Sequence, residues 1–124
     1  MIRGLSHVNI EVEDVEAARA FYAGTLGLRE IPRGEGRERE GAWFQLDGAQ
    51  LHVSLQPGCA AGNKASKRHF CLLVDDLDAL RKTLSDIQDK GTRIFVRDPS
   101  GNRIEIQRGQ DLPREVRDAI GTLL

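Results

Sequence analysis

At 124 residues and 40% hydrophobic content, the chain suits one compact domain with a modest core, and no second globular unit is expected. Its 18 basic and 19 acidic residues leave a formal net charge of −1 and are interspersed. That balance argues against a nucleic-acid footprint or a polybasic membrane surface, and for a small-molecule or protein partner. The opening MIRGLSHVNIEVED has no apolar signal-peptide core and no window approaches membrane-spanning length, so a soluble, cytoplasmic protein is expected. Cys59 and Cys71 fall at no metal-binding or redox spacing and read as free thiols, neither a good nucleophile.

Along Leu5 to Val12, His7, Asn9 and Glu11 alternate with Val8, Ile10 and Val12, which predicts a half-buried strand. Asp14 follows as an N-cap, and Val15, Ala18, Phe21 or Tyr22, and Leu26 recur at helical spacing until Gly27 ends the pattern. Leu28 to Gly41 reads as a short strand running into a glycine- and charge-rich loop, Arg33 to Glu40, either a lid or disordered. Asp47-Gly48-Ala49 between Ala42–Leu46 and Gln50–Leu55 predicts a hairpin. Its second strand puts Gln50, His52 and Ser54 on the face opposite Leu51, Val53 and Leu55. Trp43, Phe44 and Tyr22 are expected in the core or as pocket wall. From Gln56 to Arg68 no periodicity survives, so a linker is expected there, with Lys64, Lys67 and Arg68 either an anion-attracting rim or solvated surface.

After the linker the opening pattern returns. His69-Phe-Cys-Leu-Leu-Val-Asp-Asp-Leu-Asp-Ala aligns without a gap on His7-Val-Asn-Ile-Glu-Val-Glu-Asp-Val-Glu-Ala, at an offset of 62 residues. A second amphipathic helix (Leu77, Leu80, Leu84, Ile87) follows, then Phe95–Ile106, FVRDPSGNRIEI, two strands joined by a turn at Asp98 to Asn102. The chain is therefore an internal duplication, in which Glu105 falls opposite His52. His7 to His52 spans 45 positions and His69 to Glu105 only 36, which predicts an abbreviated second copy, with a shortened helix or a missing strand between Ser85 and Thr92. Asp111, Pro113 and the stripe Leu112, Val116 and Ile120 predict a terminal helix over about 111–123.

His7, His52, His69 and Glu105 occupy equivalent polar positions of the repeated unit. Imidazole and carboxylate are the donors expected for Zn, Ni, Mn or non-haem Fe(II), and a set of two or three His with one carboxylate leaves coordination positions open. No local His-x-x-His signature is present, and a lone histidine on a strand is as well explained by surface or structural hydrogen bonding.

The stretches HVNIEVEDVEAARAFYAGTLGL, HFCLLVDDLDAL and FVRDPSGNRIEI resemble the opening strand–helix and closing hairpin of the vicinal oxygen chelate superfamily, which includes glyoxalase I, fosfomycin-resistance transferases, extradiol dioxygenases and methylmalonyl-CoA epimerase. The resemblance covers nearly all of residues 1 to 108. It implies an α+β fold of two tandem βαβββ modules (about 1–56 and 68–108, joined by a linker over about 57–67) whose mixed sheet cups around a metal, with a short C-terminal helix. The family's ligand positions match His7, His52, His69 and Glu105, although glyoxalase I carries Glu where this chain has His52. The implied function is a divalent-metal-dependent lyase or isomerase, dioxygenase or transferase. Its ion, Fe, Mn, Ni, Zn or Co, is chelated by a small-molecule substrate through oxygens. Glu105 is the implied base, and His52 shares that role if unligated. With Fe(II), His7, His69 and Glu105 form a two-His, one-carboxylate triad. The alternative is a metal-free drug-binding protein of the bleomycin-resistance type. A homodimer is implied, with site ligands from one subunit or from two.

Overall fold

The computed structural model of the chain describes residues 1–121; the predicted terminal helix is found as Arg114–Ile120, and the part of that expectation at 122–123 lies outside the described residues. The elements follow the duplicated pattern. The first module comprises β1 (His7–Val12), α1 (Val15–Arg19), which continues as a π-helical segment Ala20–Thr25, then β2 (Arg29–Ile31), β3 (Gly41–Leu46) and β4 (Ala49–Leu55). A short helix α2 (Ala60–Ala65) occupies the linker. The second module comprises β5 (His69–Val74), α3 (Leu77–Thr83), β6 (Gln88–Asp89), β7 (Arg93–Arg97) and β8 (Arg103–Arg108), followed by a 3-10 turn, Gly109–Asp111, and α4 (Arg114–Ile120).

Both helices start for the same reason. Asp14 and Asp76 each accept a bond from the backbone N–H three residues on, Ala17 and Ala79, at 3.0 Å, satisfying a helix donor that would otherwise lack a partner. The second copy keeps its third-from-last strand at two residues, so no strand is missing. Its deficit comes from a shorter helix and from the connection before β7, Lys90–Thr92, where the first module has Pro32–Glu40.

The strands form two four-stranded mixed sheets, one per βαβββ module as expected, ordered β1-β4-β3-β2 and β5-β8-β7-β6. Within each, the first and last strands run parallel: Asn9 lies opposite His52, and Cys71 opposite Glu105. One face of each sheet is apolar. Val12, Phe44, Leu51 and Val53 from the first and Ile94, Val96, Ile104 and Ile106 from the second are all at most 3% exposed, and Tyr22 is buried with them. Trp43 lies on the opposite, polar face with His52.

The modules are fastened where the β1–α1 corner meets the β7–β8 turn. Ser100 Oγ accepts from Glu13 N (2.8 Å), Asn102 Nδ2 donates to Glu11 O (2.8 Å), and Asn63 of α2 donates to both Glu11 O (3.1 Å) and Ser100 O (3.0 Å). These bonds satisfy backbone groups that strand ends leave unpaired. Among the described residues, no helix is long and apolar enough to cross a membrane.

Candidate functional site

The period of two along each strand puts the candidate residues on the polar faces. On the first sheet, His7 of β1 stacks on His52 of β4 (centroids 4.1 Å apart, planes at 15°), and His52 stacks in turn on Trp43 of β3 (4.0 Å, 4°). The Arg37 guanidinium caps the column, 4.6 Å from the Trp43 ring centre. On the second sheet, His69 Nε2 lies 3.3 Å from Glu105 Oε1, and Arg93 Nε lies 3.3 Å from Glu105 Oε2. Phe95 stands where Trp43 does in the first module, edge-on to His69, with Arg103 over its face at 3.9 Å. Each half therefore contains an imidazole from its first strand, a candidate donor from its last strand, and an aromatic ring capped by a guanidinium.

His7 and His69 are held alike. The Nδ1 of each is engaged by a local oxygen, Ser6 Oγ at 3.0 Å and Lys67 O at 3.1 Å. At His69 the carbonyl can only accept, so the proton sits on Nδ1 and the lone pair on Nε2; the Ser6 hydroxyl, which can accept or donate, allows the same tautomer at His7. His52 is held the other way. Gln45 Nε2 donates to Leu46 O and Ala49 O, so its Oε1 receives Gln50 Nε2, and Gln50 Oε1 is left to accept from His52 Nε2 at 2.8 Å. The proton is then on Nε2 and the lone pair on Nδ1.

Burial, followed by the charges of His7, Arg37 and Arg33, lowers the His52 pKa below the ordinary imidazole value, which keeps the 8%-exposed ring neutral at pH 7. Because the unfolded chain takes up this proton first, stability is expected to fall as pH drops below about 6.5. An NMR titration placing the His52 midpoint at or above that value would contradict this. Cys71, opposite Glu105, is exposed at the surface, yet desolvation by the atoms packed around it, and then the Glu105 charge, push its thiol up to about 11, with Arg93 opposing, which leaves little thiolate at neutral pH. Cys59 and Cys71 are both free, as expected.

The four candidates thus fall into two pairs on separate sheets, and among the described residues no group of three His, Cys, Asp or Glu is close enough to hold one ion. One cleft, of about 640 Å³, is lined by Leu28, Leu46, Phe70 and Leu72 among others and includes none of the four. A smaller one of about 390 Å³, between β1 and β5, contains His69 with Asn9, Arg68 and Arg103, and the chemistry lies nearer to that one. Sequence reasoning missed the Arg37 cap and the Gln45–Gln50–His52 relay. The relay's residues alternate along a hairpin whose register was legible, so the signal was present for it.

Comparison with known proteins bears on the fold and the family. In structure, the chain is similar to a glyoxalase family protein from Bacillus anthracis (TM-score 0.73, 32% identity, 87% of this chain and 96% of that one). It is also similar to the fosfomycin resistance protein FosX from Mesorhizobium loti (TM-score 0.70, 22% identity, 96% and 99%), a likeness of fold. In sequence it is 24% identical to the metallothiol transferase FosB of Shouchella clausii, over 88% of this chain and 82% of that protein. The sequence profile of the Glyoxalase/Bleomycin resistance protein/Dioxygenase superfamily matches residues 4–106, and with both modules in place around these paired polar faces, the chain belongs to that superfamily.

Proposed function

We propose that the chain is a subunit of a divalent-metal-dependent enzyme acting on a small molecule that chelates the ion through oxygens, with His7 of one copy and His69 and Glu105 of a second copy as its protein ligands. The observation that carries this reading is the matched setting of the two histidines: each is anchored at Nδ1 and presents Nε2, and one already faces a carboxylate oxygen. Imidazole nitrogen and carboxylate oxygen fit Fe, Mn, Ni, Zn or Co equally by type. His52 joins the set only through Nδ1, since Nε2 is committed to Gln50.

A second copy is invoked because the pairs lie on different sheets. β1 and β5, which carry His7 and His69, are edge strands, and the apolar Met1, Ile2 and Leu5 beside β1 are 104%, 93% and 64% exposed. Bound there, the metal would supply Lewis acidity to a developing oxyanion or enolate. Glu105, its Oε2 ion-paired with Arg93 Nε at 3.3 Å, is the group we assign to accept a substrate proton, with His52 Nδ1 as the neighbouring acceptor. Trp43 and Phe95 wall the site against water.

Elemental analysis of protein purified without chelator or metal-carrying tag is expected to find close to one equivalent of metal per chain. No metal, and no uptake on dialysis against those five ions, would overturn the reading. It would favour instead a non-catalytic small-molecule binder, for which the apolar-lined cleft of about 640 Å³ is the supporting feature.

A further inference from the structure

The Arg33–Glu40 loop is much longer than the matching connection of the second module, Lys90–Thr92, and it delivers one side chain to the polar face. Gly34 and Gly36 both have positive φ, 76° and 77°, which lets the chain double back. Arg33 donates to Arg39 O (2.9 Å) and Arg37 Nε donates to Arg33 O (3.3 Å), tying the loop into a compact shape. The result is a guanidinium laid on Trp43, two rings away from His7.

Arginine so placed has uncommitted donors. Arg39 pairs with Glu11 at 3.6 Å, Arg93 with Glu105 at 3.3 Å, and Arg103 donates to Lys67 O at 3.4 Å. Arg37 spends only Nε, on a carbonyl, and among the described residues no carboxylate lies within 4.0 Å of it. The loop holds three arginines and three glutamates, so net charge is not what selects a ligand; position is. A guanidinium stacked on an aromatic face keeps its fork of N–H donors in one plane, the geometry that takes two oxygens of a carboxylate or phosphoryl group.

We propose that Arg37, stacked on Trp43 beside His52, binds an oxyanion of the substrate, a carboxylate or phosphoryl group, and that the Arg33–Glu40 loop is the element that selects for it. This deepens the function proposed above and rests on it only for where the reacting group sits. All its residues belong to one chain, and it needs neither metal nor a second copy.

Trp43 is the chain's single tryptophan, so its fluorescence reports this position directly. Chelator-treated protein is titrated at fixed ionic strength with propionate, with methyl phosphate, and with propionamide as the neutral isostere. A saturable change with one or both anions and none with propionamide is expected, and the anion that saturates lower identifies the group. R37A weakens it about tenfold or more, R37K partly restores it, and R39A stays within about twofold. No saturable change below about 100 mM with either anion, an unaltered R37A, or an equal loss in R39A would overturn the proposal. Metal uptake does not enter the readout, so the failure of either proposal is seen separately.

Discussion

Mixing His7→Ala chains with Glu105→Ala chains is expected to restore about a quarter of the metal sites that each variant lacks alone. Each substitution removes a proposed ligand, and since even outer-shell losses cost about 10- to 100-fold in metal affinity, each pure variant should fall by more than about 100-fold. If a site takes His7 from one copy and His69 with Glu105 from the other, a mixed dimer has one site with both defects and one with none. Random assortment after unfolding and refolding makes about half the dimers mixed, hence about a quarter of all sites intact. Mixing His69→Ala with Glu105→Ala supplies the control: both residues lie on β5 and β8 of one sheet, so every site keeps a defect and nothing is restored. Restoration in the control but not in the first mixture, or in neither, would mean the ligand halves are divided differently.

This experiment is available because the duplication could be read from the sequence. Alternation of polar and apolar residues fixed which face each histidine occupies, and the gapless offset made His7 equivalent to His69. The Asp-Gly and Pro-Ser-Gly-Asn turns fixed the hairpins, and with them the register that sets His52 opposite Asn9 and Glu105 opposite Cys71. What escaped was tertiary. Helix α2 has no apolar stripe; its place is secured by Asn63 bonding to Glu11 O and Ser100 O, groups far away in sequence. The Arg33–Glu40 loop shows only glycine and charge until Trp43 is known to face Arg37. Asp98 reads as a turn residue, which it is, but its second role depends on Tyr22, 76 residues away.

That second role leads to the largest expected loss of stability. Asp98 is 5% exposed and fully used: Oδ1 accepts from Ser100 N and Asn102 N, both at 2.9 Å, while Oδ2 accepts from Asn102 Nδ2 at 3.0 Å and from the buried Tyr22 hydroxyl at 2.6 Å. Asp98→Ala removes four bonds and leaves the Tyr22 hydroxyl without a partner in an apolar core, for a cost of about 3–5 kcal/mol and a fall in Tm of about 10–20 °C. Tyr22→Phe removes only one bond and its hydroxyl together, so about 1–2 kcal/mol is expected. Urea denaturation of both single variants and the double variant should show coupling of about 1 kcal/mol or more, because the two groups share a bond between modules. Additive losses would mean that Asp98 acts through its turn alone. The same pair sets an alkaline limit. Burial first, and then the Asp98 charge, raise the Tyr22 pKa well above the ordinary phenol value. Above about pH 10 the unfolded chain therefore gives up the phenolic proton while the folded chain keeps it, so stability falls as pH rises. Tyr22 is the single tyrosine, so phenolate absorbance should appear together with unfolding, and the Tyr22→Phe chain should lose this component of its alkaline slope. Phenolate appearing near pH 10 in a chain that is still folded would show that the hydroxyl is open to water and that the tie between the modules is weaker than its geometry implies.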